Sequence, residues 1–254
     1  MKRMKVMRYV APLVLILIWQ CLSFLGLIPR YKLPSPVDIL VGFKDLVFVG
    51  MPPGHHLHQH LTYSLYRVSL GYGLAVVFAI PLGILMGWSK RFRDIIAPIV
   101  EVLRPIPPLA WIPIAILWLG IGVKSAAFII FMGAFFPILL NTISGVLTIN
   151  RKLIEVSLTL GAKNKDVLLK VLAPGATPLI FTGMRIGLGI GWMTLVAAEF
   201  TGVKQGYGLG YMIMTARDIQ RPDQIIAGML IIGLVGLFID FLIRIFEANM
   251  LKWR

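Results

Sequence analysis

Charge is scarce in this chain: Asp, Glu, Lys and Arg make up 14% of 254 residues, where a soluble domain of this size carries about 25%. Acidic residues are scarcer still, 11 against 25 Lys and Arg. Cysteine occurs once, at Cys21, which excludes an internal disulfide and a cysteine-cluster metal site. Gly-x-Ser-x-Gly, His-Glu-x-x-His and Gly-x-x-x-x-Gly-Lys-Ser/Thr are all missing, so no nucleophile elbow, metalloprotease helix or phosphate-cradling loop is present. If nucleotide energy is used, another chain supplies it. The short apolar/polar alternation of a lipid-facing barrel is absent too.

What fills the chain is hydrocarbon. Hydrophobic residues make up 58% in long unbroken runs, and the mean hydropathy is +0.85. Runs of roughly 20 apolar residues read as membrane-crossing helices, the open-ended structures that satisfy their own backbone in lipid. An all-α integral membrane protein of about six spans is predicted, near 10–28, 63–88, 95–120, 124–148, 178–200 and 223–246. Residues 1–254 read as one domain, with a core over 63–247 and an anchor helix over 10–28. The third span is expected to break into a short helix over about 92–103, a bend, then the crossing, because Pro105, Pro107, Pro108 and Pro113 cannot all lie inside one helix.

The net charge of +14 does not point to nucleic acid, since the basic residues are scattered as span flanks rather than gathered in one stripe. With the N-terminus inside, the cytoplasmic edge receives Lys2, Arg3, Lys5, Arg8, Lys90, Arg91, Arg93, Arg104, Arg151, Lys152, Lys163, Lys165, Lys170, Arg185, Arg244, Lys252 and Arg254. The outer side keeps Arg30, Lys32, Lys44, Arg67, Lys124, Lys204, Arg217 and Arg221. That bias puts both termini, and residues 149–177, in the cytoplasm. No small-x-small cleavage site follows the first apolar run, so it reads as an uncleaved anchor.

Histidines crowd into His55, His56, His58 and His60 on the loop placed outside. No carboxylate or cysteine lies nearby, so they read as a solvated polar tract rather than a metal site. Gly183, Gly187 and Gly191 recur every four residues in the fifth span, and Gly71, Ala75, Ala79, Gly83 and Gly87 do so in the second. Such stripes allow close helix approach in lipid and are expected to face another span or a second subunit. Gly202, Gly206, Gly208 and Gly210, with Tyr207 and Tyr211, read equally as a re-entrant turn or a flexible connection.

The charged segment from Glu155 to Pro174 interrupts the apolar runs. Glu155, Gly161 six residues on, Val171 and Pro174 reproduce the spacing Glu-Ala-Ala, three residues, Gly, nine residues, Ile-x-Leu-Pro. That is the cytoplasmic loop signature of binding-protein-dependent ABC permeases. Val156-Ser157 replaces Ala-Ala, Val171 replaces Ile and Ala173 stands where Leu is usual. Taken alone, the segment also reads as an amphipathic connector in the interface. The chain further resembles sulfonate, taurine and nitrate permeases at Arg104–Pro113, Trp118–Gly122, Gly133–Ile138 with Asn141-Thr142, Gly183–Gly187 and Val196–Phe200, over residues 30–247.

The resemblance implies a type I importer permease in a bacterial or archaeal cytoplasmic membrane, with a coupling helix between the fourth and fifth spans. It implies a second permease copy, two cytoplasmic ATPase subunits holding ATP and Mg, an extracytoplasmic binding protein, and no cofactor on this chain. Glu155, Ser157, Leu160, Gly161, Ala162, Val171 and Pro174 are the implied coupling positions, with Ile154, Leu158 and Gly161-Ala162 forming a small-residue bend offered to a partner groove and Pro174 stopping a second helix over 166–171. Arg104, Pro108, Trp111, Arg185 and Glu199 are candidate pathway or gate residues. Arg104 and Arg185 either attract an anion or anchor at the inner edge, Glu199 either gates or reaches water, Glu101 lies at pairing distance from Arg104, and Asp240 is expected to pair with Arg244. The implied cargo is a small sulfonate, taurine or nitrate, with an uncharged heteroaromatic compound still open. A secondary transporter would show an inverted repeat, which is not visible, and an intramembrane enzyme would need catalytic groups within spans.

Overall fold

Every named element is helical among the described residues of the computed structural model, which are 2–27, 29–51, 54–200 and 207–250. Gly202, Lys204, Gly206, Lys252, Arg254 and Ile28 at the end of the first expected span lie outside them, as do the side chains of Lys2, Arg3, Lys5 and Arg8. The helices are α1 (Lys2–Phe24), α2 (Pro36–Phe48), α3 (Leu57–Trp88), α4 (Lys90–Leu103), α5 (Ile112–Leu119), α6 (Val123–Leu147), α7 (Arg151–Thr159), α8 (Asn164–Val167), α9 (Ala173–Phe200), α10 (Leu209–Asp218) and α11 (Pro222–Met250). Among the described residues four stretches are long and apolar enough to cross a bilayer, α3, α6, Asn164–Phe200 and α11, or five if the bent pair below counts as one span.

The third expected span is broken. α4 and the Pro108–Leu119 stretch meet at 86°. Pro105 and Pro107 occupy the turn, Pro108 opens a 3₁₀ turn (Pro108–Trp111), and Pro113 sits in the first turn of α5, where a missing N–H costs nothing. Helix α1 has 23 residues, but its apolar stretch is only Leu13–Phe24, shorter than the expected 10–28. Its side chains from Leu13 to Leu17 are exposed all round, the pattern of a helix that faces lipid.

The chain divides into two compact units, Met1–Tyr63 with Gly206–Val235 and Ser64–Gln205 with Gly236–Arg254. In the first, α2 starts with a reciprocal cap: the Ser35 hydroxyl accepts from the Asp38 N–H at 3.1 Å, and the Asp38 carboxylate accepts from the Ser35 N–H at 3.0 Å. The Arg221 guanidinium donates to Asp45 on α2 and to Asp223 on α11, each at 2.7 Å. Hydrogen bonds to Asp223 and then Asp45 push its pKa above the usual arginine value. Gly42 lets the α2 backbone approach Asp223, where an added Cβ would meet the carbonyl carbon at 2.9 Å.

In the second unit α6 is the central element, with Ile129, Ile130, Ala134, Ile138, Leu139 and Thr142 among its buried residues. Both predicted small-residue stripes pack on it. A Cβ on Gly71 would collide with the Ala127 carbonyl, one on Gly83 would lie 2.6 Å from Thr142 Cβ, and one on Gly87 2.5 Å from Val146 Cβ. From α9, Gly183 meets Asn141 at 2.7 Å and Gly187 the Ala134 carbonyl at 2.8 Å, while Gly191 sits by Ile130 at 3.3 Å. Helices approach this closely in lipid because dispersion and Cα–H contacts replace the absent hydrophobic drive. Pro81 and Pro137 lie inside α3 and α6 without ending either helix.

Candidate functional site

The segment between α6 and α9 is built as a hairpin. Asn150 caps α7, its side-chain oxygen accepting from the Lys152 N–H at 3.0 Å. The helix ends in a Schellman turn at Gly161, whose φ is +84°. There the Ala162 N–H donates to the Ser157 carbonyl and the Gly161 N–H to the Leu158 carbonyl, both at 3.0 Å. After the turn the Asp166 carboxylate accepts from the Lys163 N–H at 3.3 Å, opening α8.

The structure divides the residues expected to form one docking surface. Ile154, Ala162 and Val171 turn inward, packing with Val167 and Leu172 on Val146 of α6 and Ala176 of α9. Leu153, Val156, Leu158 and Leu160 point away, and Leu160 at the apex is 83% exposed. Glu155 and Gly161 are exposed and Ser157 is half-buried, its hydroxyl donating to the Leu153 carbonyl at 2.7 Å. Exposed Pro174 does not stop the second helix as expected. Leu168–Leu172 forms a π turn in which the Ala173 N–H donates to the Leu168 carbonyl, so the chain runs on helically through the donor-less Pro174 into α9. The hairpin is thereby joined to two long helices without a loose loop.

Of the pathway candidates, Arg104 and Pro108 line one pocket of about 290 Å³, together with Ile106, Met132, Gly133, Phe136, Pro137, Leu140 and Ile190. Arg104 is the only charged residue in this lining among the described residues. It caps α4 through its backbone N–H, and no ion pair joins it to Glu101 among the described residues. Trp111 packs edge-on against Phe128 with ring centroids 6.3 Å apart. Arg185 lies elsewhere, 3.6 Å from Glu247 on α11. Asp240 accepts from Arg244 at 2.7 Å, as expected.

Glu199 does not reach water. Its carboxylate accepts from Arg67 at 2.6 Å and from the Ser64 hydroxyl at 2.8 Å, and both charged side chains are 0% exposed. Arg67, which the sequence places among the outer flanking charges, is instead buried against Glu199. Its signal was position: Arg67 lies four residues before Gly71, on the face of α3 that turns inward. The histidines are likewise not a solvated tract. His60 is 1% exposed, with its Nδ1 3.0 Å from the Gly208 carbonyl oxygen and 3.1 Å from the Gly208 nitrogen, and the His55 ring lies 4.0 Å from that of Tyr207. His58 is exposed. Tyr207 also stacks on Tyr63 at 4.7 Å, and Gly208 precedes α10, so this end of the expected glycine connection is ordered packing.

The chain matches, over residues 79–252, the family described as binding-protein-dependent transport system inner membrane component. Its relatives include the taurine transport system permease protein TauC of Escherichia coli, 37% identical over 94% of this chain and 86% of that one. The nitrate import permease protein NrtB of Synechocystis is 39% identical over the same shares. Among solved structures, inward-facing conformations of the MetNI methionine ABC transporter share the fold. One superposes with a TM-score of 0.64 at 23% identity, covering 77% of this chain and 94% of that one, and another with 0.68 at 20%, covering 76% and 95%. With the Glu155–Pro174 spacing, the broken span and the central α6 in place, the chain belongs to the binding-protein-dependent transport system inner membrane components and is a multi-pass ABC importer permease subunit.

Proposed function

We propose that the chain carries a small solute bearing an oxyanion group, such as a sulfonate, taurine or nitrate, through a pathway it forms with a second copy of itself. Two cytoplasmic ATPase subunits, which hold ATP and Mg, drive it, and an extracytoplasmic binding protein delivers the cargo. Both termini and the α7–α8 hairpin face the cytoplasm in this arrangement, and residues 1–254 act as one permease domain. The charge distribution along the sequence supports that orientation. The hairpin supports the ATPase contact: its apolar apex at Leu160 is exposed, while Ile154, Ala162 and Val171 bind it to the two helices it must move. A rigid lever of this kind transmits a displacement that a loose loop would dissipate.

The observation that carries the cargo class is the pocket beside the broken span, where Arg104 joins a lining that is otherwise apolar among the described residues. Such a lining suits an anion with a small hydrocarbon body, because the guanidinium forks onto oxyanions and the wall covers the body. The test is uptake of labelled taurine, a short alkanesulfonate and nitrate by the assembled transporter in proteoliposomes. Arg104→Gln is expected to lower organic-anion uptake by about tenfold, the worth of one charge-assisted contact, with membrane insertion unchanged. Uptake at the parental rate by that variant would remove Arg104 from the pathway, and uptake of none of the three solutes by the parent would overturn the cargo class.

A further inference from the structure

On α3 the series Gly71, Ala75, Ala79, Gly83, Gly87 extends back four residues to Arg67, and on α9 the series Gly183, Gly187, Gly191 extends through Leu195 to Glu199. Both small-residue series lie against α6, and each ends in a charge. The two charges meet. Arg67 and Glu199 pair at 2.6 Å, fully buried, with Ser64 donating to the same carboxylate oxygen.

A face carrying the same notch every four residues looks alike after a slide of four residues, about 6 Å. In lipid, close packing is the chief force holding such helices, so notch-on-notch fit separates neighbouring registers weakly. The Tyr72 hydroxyl, which donates to the Met184 carbonyl at 3.1 Å, does not separate them either, since a backbone carbonyl recurs at every residue. A buried ion pair does. Sliding α3 by one turn would part the charges and leave each desolvated without its partner, which is far more costly than replacing both by apolar groups. Setting register is the best-attested use of a buried polar contact.

We propose that Arg67 and Glu199, with Ser64, form a register pin that holds α3 at one axial position against α9, the helix from which the α7–α8 hairpin hangs. They are positioning residues, and the inference goes beyond the transport reading and is independent of the cargo. The pin also explains why ionisable groups are kept where a Met or Leu pair would fill the same space at lower desolvation cost.

The test reads the register of α3 on α6, the helix against which α9 also packs, by thiol cross-linking of the full chain in membranes in a Cys21→Ser background. The Phe78 and Phe131 rings lie 6.5 Å apart, so Phe78→Cys with Phe131→Cys reports the present register. Phe78→Cys with Ala127→Cys or with Phe135→Cys reports a slide of one turn either way. Without further change the 78/131 link should dominate. In Arg67→Met/Glu199→Met, which buries no charge, insertion and the melting midpoint should persist while a slid link rises to within about threefold of the 78/131 link, as near-degenerate registers require. In complex with its ATPase, the same double variant should lose about tenfold of transport-linked ATP hydrolysis while basal hydrolysis is kept. Arg67→Lys, which keeps the charge, should retain the 78/131 dominance. Unchanged dominance in the double variant, or a slid register in Arg67→Lys, overturns the pin.

Discussion

Gly161 is the position where the hairpin can be perturbed with least collateral change. A Cβ built there meets nothing within 4 Å, so Gly161→Ala creates no clash within the chain. Its cost is the backbone alone. At φ +84° an L-residue other than glycine gives up about 1–2 kcal/mol, whereas Asn tolerates this region because its short side chain bonds locally. That energy alters the population of the closed Schellman turn by a factor of roughly 5–30. The turn is held by two hydrogen bonds, from Ala162 to Ser157 and from Gly161 to Leu158, so its loss releases the apex bearing Leu160 from α7. The assay is uptake together with substrate-stimulated ATP hydrolysis in the assembled complex. Gly161→Val should lose most of both, Gly161→Ala an intermediate share, and Gly161→Asn little, all with normal insertion. Parental activity in Gly161→Val would refute the claim that this turn transmits force. Equal loss in Val and Asn variants would refute the backbone argument and assign the effect to bulk at the docking surface.

Two contrasts within the fold give further tests. On α9, Gly187→Ala should destabilise by about 1–3 kcal/mol, because its Cβ would press the Ala134 carbonyl. Gly189→Ala, with open space, should be neutral or stabilise by up to about 1 kcal/mol. Thermal melting of the detergent-extracted chain separates them, and equal midpoints would contradict the packing on α6. In the histidine group, His60→Ala should cost about 1–3 kcal/mol by leaving the Gly208 backbone without its side-chain partner. His58→Ala should leave the midpoint unchanged, and the reverse order would contradict the burial of His60.

Much of the architecture is legible along the chain because each signal is local. Lipid demands long apolar runs, and α3, α6 and α11 lie within a few residues of where those runs place them, apart from the longer N-terminal start of α3. Four prolines in nine residues cannot share a helix, so the break before α5 is legible too. The small-residue stripes are visible as spacing, although nothing in the spacing says that both serve the same helix. Two short helices were missed. α2 is announced by Ser35-Pro36 with Asp38 three residues past the cap, a start signal overlooked beside the apolar runs, while α10 opens at Gly208, which lacks a capping side chain. The stop assigned to Pro174 failed because a proline near the start of a helix is tolerated, and the π turn placed just before it lets the chain continue helically.

By itself, then, the order of residues determined the class, the broken third span, the glycine faces and the spacing of the coupling loop, all of which follow from the solvent and from neighbours within a turn or two. Which groups meet across the fold was decided only by tertiary structure. Arg67 and Glu199 are 132 residues apart, and His60 and Gly208 148 apart. Their hydrogen bonds depend on how α3, α6 and α9 pack in the one case and on where the start of α10 lies in the other. A charge near the end of an apolar helix looks the same in sequence whether it reaches water or a buried partner, and only the packing of distant helices removes the water.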